Sequence, residues 1–290
     1  MARKIESAFF EELKTGTLNR CLNYVKNDDT LDMELRGKSI IIYYRGGKIL
    51  TIKEKTYELI ELDEKYLLGK PSVKPSLTTL EDYFPHAKHI IDDYVSNKRN
   101  HLWEKEIQQR IVQENNYSPN SLDTDFFIID MEYQDIGRAD IVALRWDSTA
   151  SARKLSKNYL PTITIFEIKQ GFNSVSGESG MRTHLKNFKS FVADKTKIKD
   201  FKHDMIAVFE QKRALGLIRE MDKEKYKKIT KVAEDIDFVF LLANYKSASK
   251  QLEQELKEID DCKFIYANPM GYGLFANNII NKQEYQKRFL

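Results

Sequence analysis

Two short segments of this chain carry residues whose types and spacing could do chemistry. One is Asp140, in Gly137-Arg138-Ala139-Asp140-Ile141-Val142-Ala143-Leu144. The other is Glu167-Ile168-Lys169, within Thr162-Ile163-Thr164-Ile165-Phe166-Glu167-Ile168-Lys169-Gln170-Gly171. Both lie in apolar, β-branched runs of strand length, which rarely tolerate charge without a reason. Side chains at i and i+2 of a strand share a face, so Glu167 and Lys169 project together. If the two strands pair, Asp140 can join them. Two carboxylates and an ammonium at the end of a buried sheet form a place to hold a hard divalent cation and activate water.

The flanking elements must position this set. Upstream, His101 to Val112 reads as a helix with Leu102, Ile107 and Ile111 on its apolar face and with Glu104 and Glu106 in its first turns. Downstream, Met181 to Val192 reads as a helix with Leu185, Phe188, Phe191 and Val192 at helical spacing. A helix glutamate, a strand aspartate, a strand Glu-x-Lys and a following helix, in that order, resemble the PD-(D/E)XK nuclease superfamily. The resemblance covers roughly residues 98–275 and departs where Ala139 stands in place of the proline of the family's name.

The resemblance implies an α/β (α+β) chain with a restriction-endonuclease-like mixed central sheet flanked by helices. It implies a metal-dependent nuclease that hydrolyses phosphodiester bonds, with DNA favoured on the resemblance alone and RNA left open. Asp140, Glu167 and the backbone carbonyl of Ile168 would bind Mg²⁺ or Mn²⁺. Lys169 would orient the attacking water or steady the transition state. Glu106 is preferred over Glu104 as the helix glutamate, because Glu104 adjoins Trp103 and falls at the helix edge; the choice between them stays open. Candidate substrate contacts are Gln170, His184, Lys186 and Lys189 near the site, and Arg45 and Lys48 in the N-terminal region. The rival reading is a catalytically silent fold of this type that binds nucleic acid or a protein partner. A homodimer would suit cutting of two strands, although no heptad or apolar stripe argues for one.

Each residue also has a plainer reading. Asp140 could satisfy nearby amides, Glu167 and Lys169 could be an ordinary same-face ion pair, and the lysine clusters at 186–202 and 223–231 could be solvated helix faces. The five histidines show no zinc spacing beyond His86-x-x-His89, and no nucleotide-binding glycine loop or Ser-His-Asp pattern stands out.

The 290 residues suffice for one large or two modest domains. A hydrophobic share of 41% beside 31% charged residues fits a chain with a real core. A net charge of +3 does not by itself argue for nucleic acid. There is no apolar run of membrane-spanning length and no signal-peptide pattern, and the two cysteines, Cys21 and Cys262, suggest no disulfide framework. A cytoplasmic protein with no membrane partner is expected. Two regions are expected: an α+β accessory module over 1–79 and the nuclease-like domain over 80–290. In the first, residues 5–27 read as helical with a break at Gly16, a Gly46-Gly47 turn joins two β runs, and 56–62 adds a third. The second has helical sequence over 80–115 broken near Pro85 or Asn97. Strands follow over 125–133, 138–146, 161–169, 237–245 and 263–267, with helices over 180–195, 199–221 and 249–259. An edge strand or loop is expected at 271–275.

Overall fold

The computed structural model describes residues 2–96, 103–156, 159–170, 175–221, 225–244, 249–268 and 271–289. It is a mixed α+β chain with a four-stranded and a six-stranded sheet.

The N-terminal part begins with α1 (Ser7–Lys14) and α2 (Asn19–Lys26), separated at Gly16 as the sequence suggests. The strands β1 (Leu31–Leu35), β2 (Ser39–Tyr44), β3 (Gly47–Lys53) and β4 (Leu59–Ile60) follow, each antiparallel to the next. The β2–β3 turn is one residue earlier than expected. Its positive φ angles belong to Arg45 (+49°) and Gly46 (+74°), whereas Gly47 opens β3. Gly47 has its own reason to lack a side chain: a Cβ there would lie 2.7 Å from the Ile91 side chain.

In α3 (Leu80–Ser96), Pro85 is inside the helix and does not break it; Asn97 lies outside the described residues. A proline there removes one backbone hydrogen bond, and the buried Leu80, Tyr83, Phe84, Ala87, Ile90 and Ile91 hold the helix through it. After it comes α4 (Trp103–Val112), which runs into a π-helical turn at Gln113–Tyr117.

The six-stranded sheet contains β5 (Phe126–Tyr133), β6 (Ala139–Arg145), β7 (Thr162–Gln170), β8 (Ile236–Ala243), β9 (Lys263–Ala267) and β10 (Ile280–Asn281), in the order β10-β9-β8-β7-β6-β5. The β5–β6–β7 meander is antiparallel, β7, β8 and β9 run parallel, and β10 is antiparallel to β9. The connections carry the short α5 (Ala150–Arg153), α6 (Met181–Ala193), α7 (Lys195–Leu215) and α8 (Lys250–Lys257), and α9 (Lys282–Phe289) closes the chain. Of the edge strand or loop expected at 271–275, the structure has the loop, with a single bridge between Asn268 and Gly271; the edge strand on that side of the sheet is β10.

Alternation along the buried strands divides the core. Phe127, Val142, Leu144, Ile163, Ile165, Phe240 and Leu242 face a large apolar cluster with Phe209 of α7 and Phe191 of α6. Phe126, Ile128, Ile141, Phe166, Ile168, Leu241 and Ile265 face a second cluster with Ile107, Ile111 and Val112 of α4. Helices thus cover both faces, as continuous apolar strands require. The large cluster also takes in Phe9, Leu22, Met33, Ile42 and Ile52, so the N-terminal sheet shares the core of the larger one.

Charge is buried where the two sheets meet. Asp32 and Glu34 of β1 project from the same face and have no exposure. Tyr117 donates its hydroxyl to Asp32 at 2.8 Å, and Lys212 of α7 donates to Glu34 at 2.7 Å. A β-bulge between Ile128 and Asp130 aims Asp130 at this junction, where it pairs with Arg36 and, at 2.9 Å, with Arg3.

Burial first, and then the charge of Glu34, push the Asp32 carboxyl up to about 7. The fold therefore binds this proton more tightly than the unfolded chain does. The stabilisation is complete below about pH 4, the unfolded carboxylate range, and is lost as pH rises through 7. Urea unfolding of wild type and Asp32→Asn should show the stability gap moving in favour of the variant between those limits. The movement should be at most about 1.4 kcal/mol per pH unit. A gap that stays constant with pH would show that Asp32 is ionised in the fold.

Candidate active site

The β6–β7 ladder ends at Ile141–Phe166. Beyond that point Asp140 Oδ2 accepts the Ile168 N–H at 2.7 Å, so a side chain satisfies an amide past the end of the pairing. On β7, Glu167 and Lys169 project to the same face, with Lys169 Nζ 2.9 Å from Glu167 Oε1. Lys169 also donates to the Ser179 carbonyl at 3.0 Å, just before α6. From the second turn of α6, His184 Nε2 lies 3.1 Å from the same Glu167 oxygen. Asp140, Glu167 and Lys169 are 7%, 4% and 3% exposed, which is unusual for three ionisable groups in one place.

Helix α4 completes the group with a different glutamate from the one preferred on sequence. Glu104 and Glu106 are about 200° apart around a helix, so only one can face the strands. Glu106 faces the β2–β3 hairpin, pairing with Arg45 at 3.3 Å and Arg110 at 2.9 Å. Glu104 stands at the exposed rim of the site. Desolvation of its carboxyl, followed by the charge of Glu167, raises its pKa, while Lys169 acts in the opposite direction. Gln108, one turn on from Glu104 and buried, donates to Asp140 Oδ1 at 3.0 Å. The sequence reading did not single out Gln108; the i, i+4 spacing from Glu104 was the signal available for it.

The hairpin holds this helix in place. Gly46 N–H donates to Gln109 Oε1 at 2.7 Å, and Gln109 Nε2 donates to the Thr30 and Tyr43 carbonyls. A Cβ on Gly46 would lie 2.5 Å from the Lys105 backbone, so the close approach of turn and helix requires glycine.

The Asp140 carboxyl is raised well above the usual range, by burial first and then by the charges of Glu167 and Glu104. The Ile168 amide and Lys169 offset this only in part. Among the described residues, the buried Glu167 Oε2 has no hydrogen-bond partner. A buried carboxylate oxygen in that state is costly, and mutually repelling carboxylates are relieved by a cation. The residues therefore fit a divalent ion held by Asp140 and Glu167, with Glu104 at the rim. Among the described residues, no group of three or more His, Cys, Asp and Glu side chains is arranged to hold a metal. Mg²⁺ typically takes one or two carboxylates and keeps several waters, so a ready-made cage is not needed.

The other candidates fall as follows. Ile168 contributes its amide to Asp140, and its side chain is buried on the opposite face of the sheet. Gln170, half-buried, ends β7. Lys186 and Lys189 are exposed on α6. Arg45 is bound to Asp92 and Glu106, and Lys48 to Asp63 at 3.0 Å, so these cations already have carboxylate partners. Arg36, also in the N-terminal region, pairs with Asp130. Residues 171–174 of the loop after the Glu-x-Lys strand, and Lys223, lie outside the described residues. Both cysteines are free and buried, with burial pushing their thiols up to about 12, which does not suit a nucleophile.

No protein-family model, curated protein or solved structure matches this chain. Among the described residues, no helix is long and apolar enough to cross a membrane.

Proposed function

We propose that this chain is a Mg²⁺- or Mn²⁺-dependent nuclease that hydrolyses phosphodiester bonds, with DNA as its substrate. The observation that carries the reading is the buried set of Asp140, Glu167 and Lys169 at one end of the β6–β7 pair. Glu167 Oε2 has no hydrogen-bond partner there among the described residues. The element order adds support. A helix, an antiparallel three-strand meander, a helical crossover and a parallel strand suit a restriction-endonuclease-like core.

Asp140 and Glu167 would hold the ion, with Glu104 reaching it from the rim. The bound ion supplies the charge that activates water and offsets negative charge growing on the scissile phosphate. Two donors of Lys169 are used by Glu167 and the Ser179 carbonyl. An ammonium has three donors, so the third can meet a phosphate oxygen or the attacking water. Lys169 and His184 both lie against Glu167 Oε1, which leaves Oε2 as the oxygen that would hold an ion.

The test is cleavage of single-stranded, linear and supercoiled DNA with Mg²⁺, Mn²⁺ or EDTA. Metal-dependent cutting of at least one form is expected. DNA binding that ignores metal, with no cutting of any form, would favour the silent binding module instead.

A further inference from the structure

We infer that Gln108 is a positioning residue that holds Asp140 ready for a single divalent ion and keeps a second ion out. This rests on the nuclease reading above. The Gln108 amide N–H donates to Asp140 Oδ1 at 3.0 Å, and an Asp140 ionised by a bound cation can only accept it. The Ile168 amide takes one lone pair of Oδ2 at 2.7 Å. Each oxygen keeps one further lone pair, enough for an ion on the Glu167 side. An ion approaching Oδ1 from the α4 side would meet the positive end of the carboxamide. Gln108 is 2% exposed, so it has no solvent into which to swing aside.

Charge points the same way. Glu104, Asp140 and Glu167 interact with one another, Lys169 pairs with Glu167, and Arg138 also acts on Glu104. The two buried carboxylates, Asp140 and Glu167, against the Lys169 ammonium leave one negative charge, so a first divalent ion already offsets it and a second would add to a buried excess of positive charge, which is unfavourable. Glu132 also acts on Glu104, and it is engaged by Lys105 at 3.1 Å and Arg138 at 3.5 Å.

The test is Mn²⁺ titration of the full chain, following free Mn²⁺ by electron paramagnetic resonance. Wild type, Gln108→Ala, Gln108→Met and Gln108→Glu are compared, each checked for fold by circular dichroism. One ion per wild-type chain is expected. Loss of the amide should weaken that ion about tenfold or more, as loss of a group orienting a ligand typically does. Gln108→Glu should take up a second ion, an opposite response that a merely structural role would not give. Gln108→Met keeps the side-chain volume should the alanine variant unfold, and the wild-type count needs no variant. Two ions on wild type, unchanged affinity in the alanine or methionine variant, or a single ion on Gln108→Glu would overturn this inference and leave the nuclease reading standing. No Mn²⁺ bound by wild type at millimolar concentration would overturn both.

Discussion

Glu167→Gln and Lys169→Met are each expected to lower metal-dependent cleavage by about 10²–10⁴-fold, the usual cost of losing one preorganised charge or proton-handling group at a reacting centre. Glutamine keeps the shape of Glu167 and can still accept from Lys169, but it removes the charge that would hold the ion. Methionine keeps the aliphatic stem of Lys169 and removes its donors. The same assay separates the two helix glutamates. Glu104→Gln should lose activity with them. Glu106→Gln should keep it to within about threefold, because Glu106 is tied to Arg45 and Arg110 on the far side of α4. Rates are compared under multiple turnover on the form of DNA that wild type cuts best. Full activity in Glu167→Gln would remove this site from the chemistry. Loss in Glu106→Gln with retention in Glu104→Gln would show that α4 presents its other face.

The second large effect concerns stability. Lys212→Met should cost about 3–5 kcal/mol in urea unfolding, the usual result of removing one partner from a buried pair. Lys212 and Glu34 are both fully buried, and their contact is 2.7 Å. Without the ammonium, the Glu34 carboxylate would keep only Arg36 at 3.5 Å and would sit beside Asp32 on the same strand face. The double variant Lys212→Met with Glu34→Leu should recover most of the loss, since two apolar side chains can replace a buried pair at little cost. A single-variant loss below about 1 kcal/mol, or no recovery in the double variant, would show that water or rearrangement already screens the pair. This junction bears on the site, because the sheet that Lys212 and Glu34 anchor carries the hairpin that grips α4 through Gly46 and Gln109.

The sequence by itself determined the elements and the central part of the site. Apolar alternation located β5 to β9, and helical spacing located α6 to α8, because these segments bury one face or both. The i, i+2 rule placed Glu167 and Lys169 together before any fold was known, since strand geometry alone sets it. Local pattern missed β10 and α9; a two-residue strand and a short polar helix carry too little periodicity to read.

Tertiary structure alone decided the rest. Glu104 and Glu106 have the same chemistry within the first turn of α4, and only the position of the hairpin against α4 determines which faces the strands. Gln108 became part of the site because the end of β6 comes within hydrogen-bonding distance of it. Arg45 and Lys48 of the N-terminal region looked available to nucleic acid, but they find Glu106 and Asp63 at separations of 61 and 15 residues. Backbone periodicity is a local property and can be read from a string of residues. A charge's partner is a distance in space, and that distance exists only once the two sheets have packed.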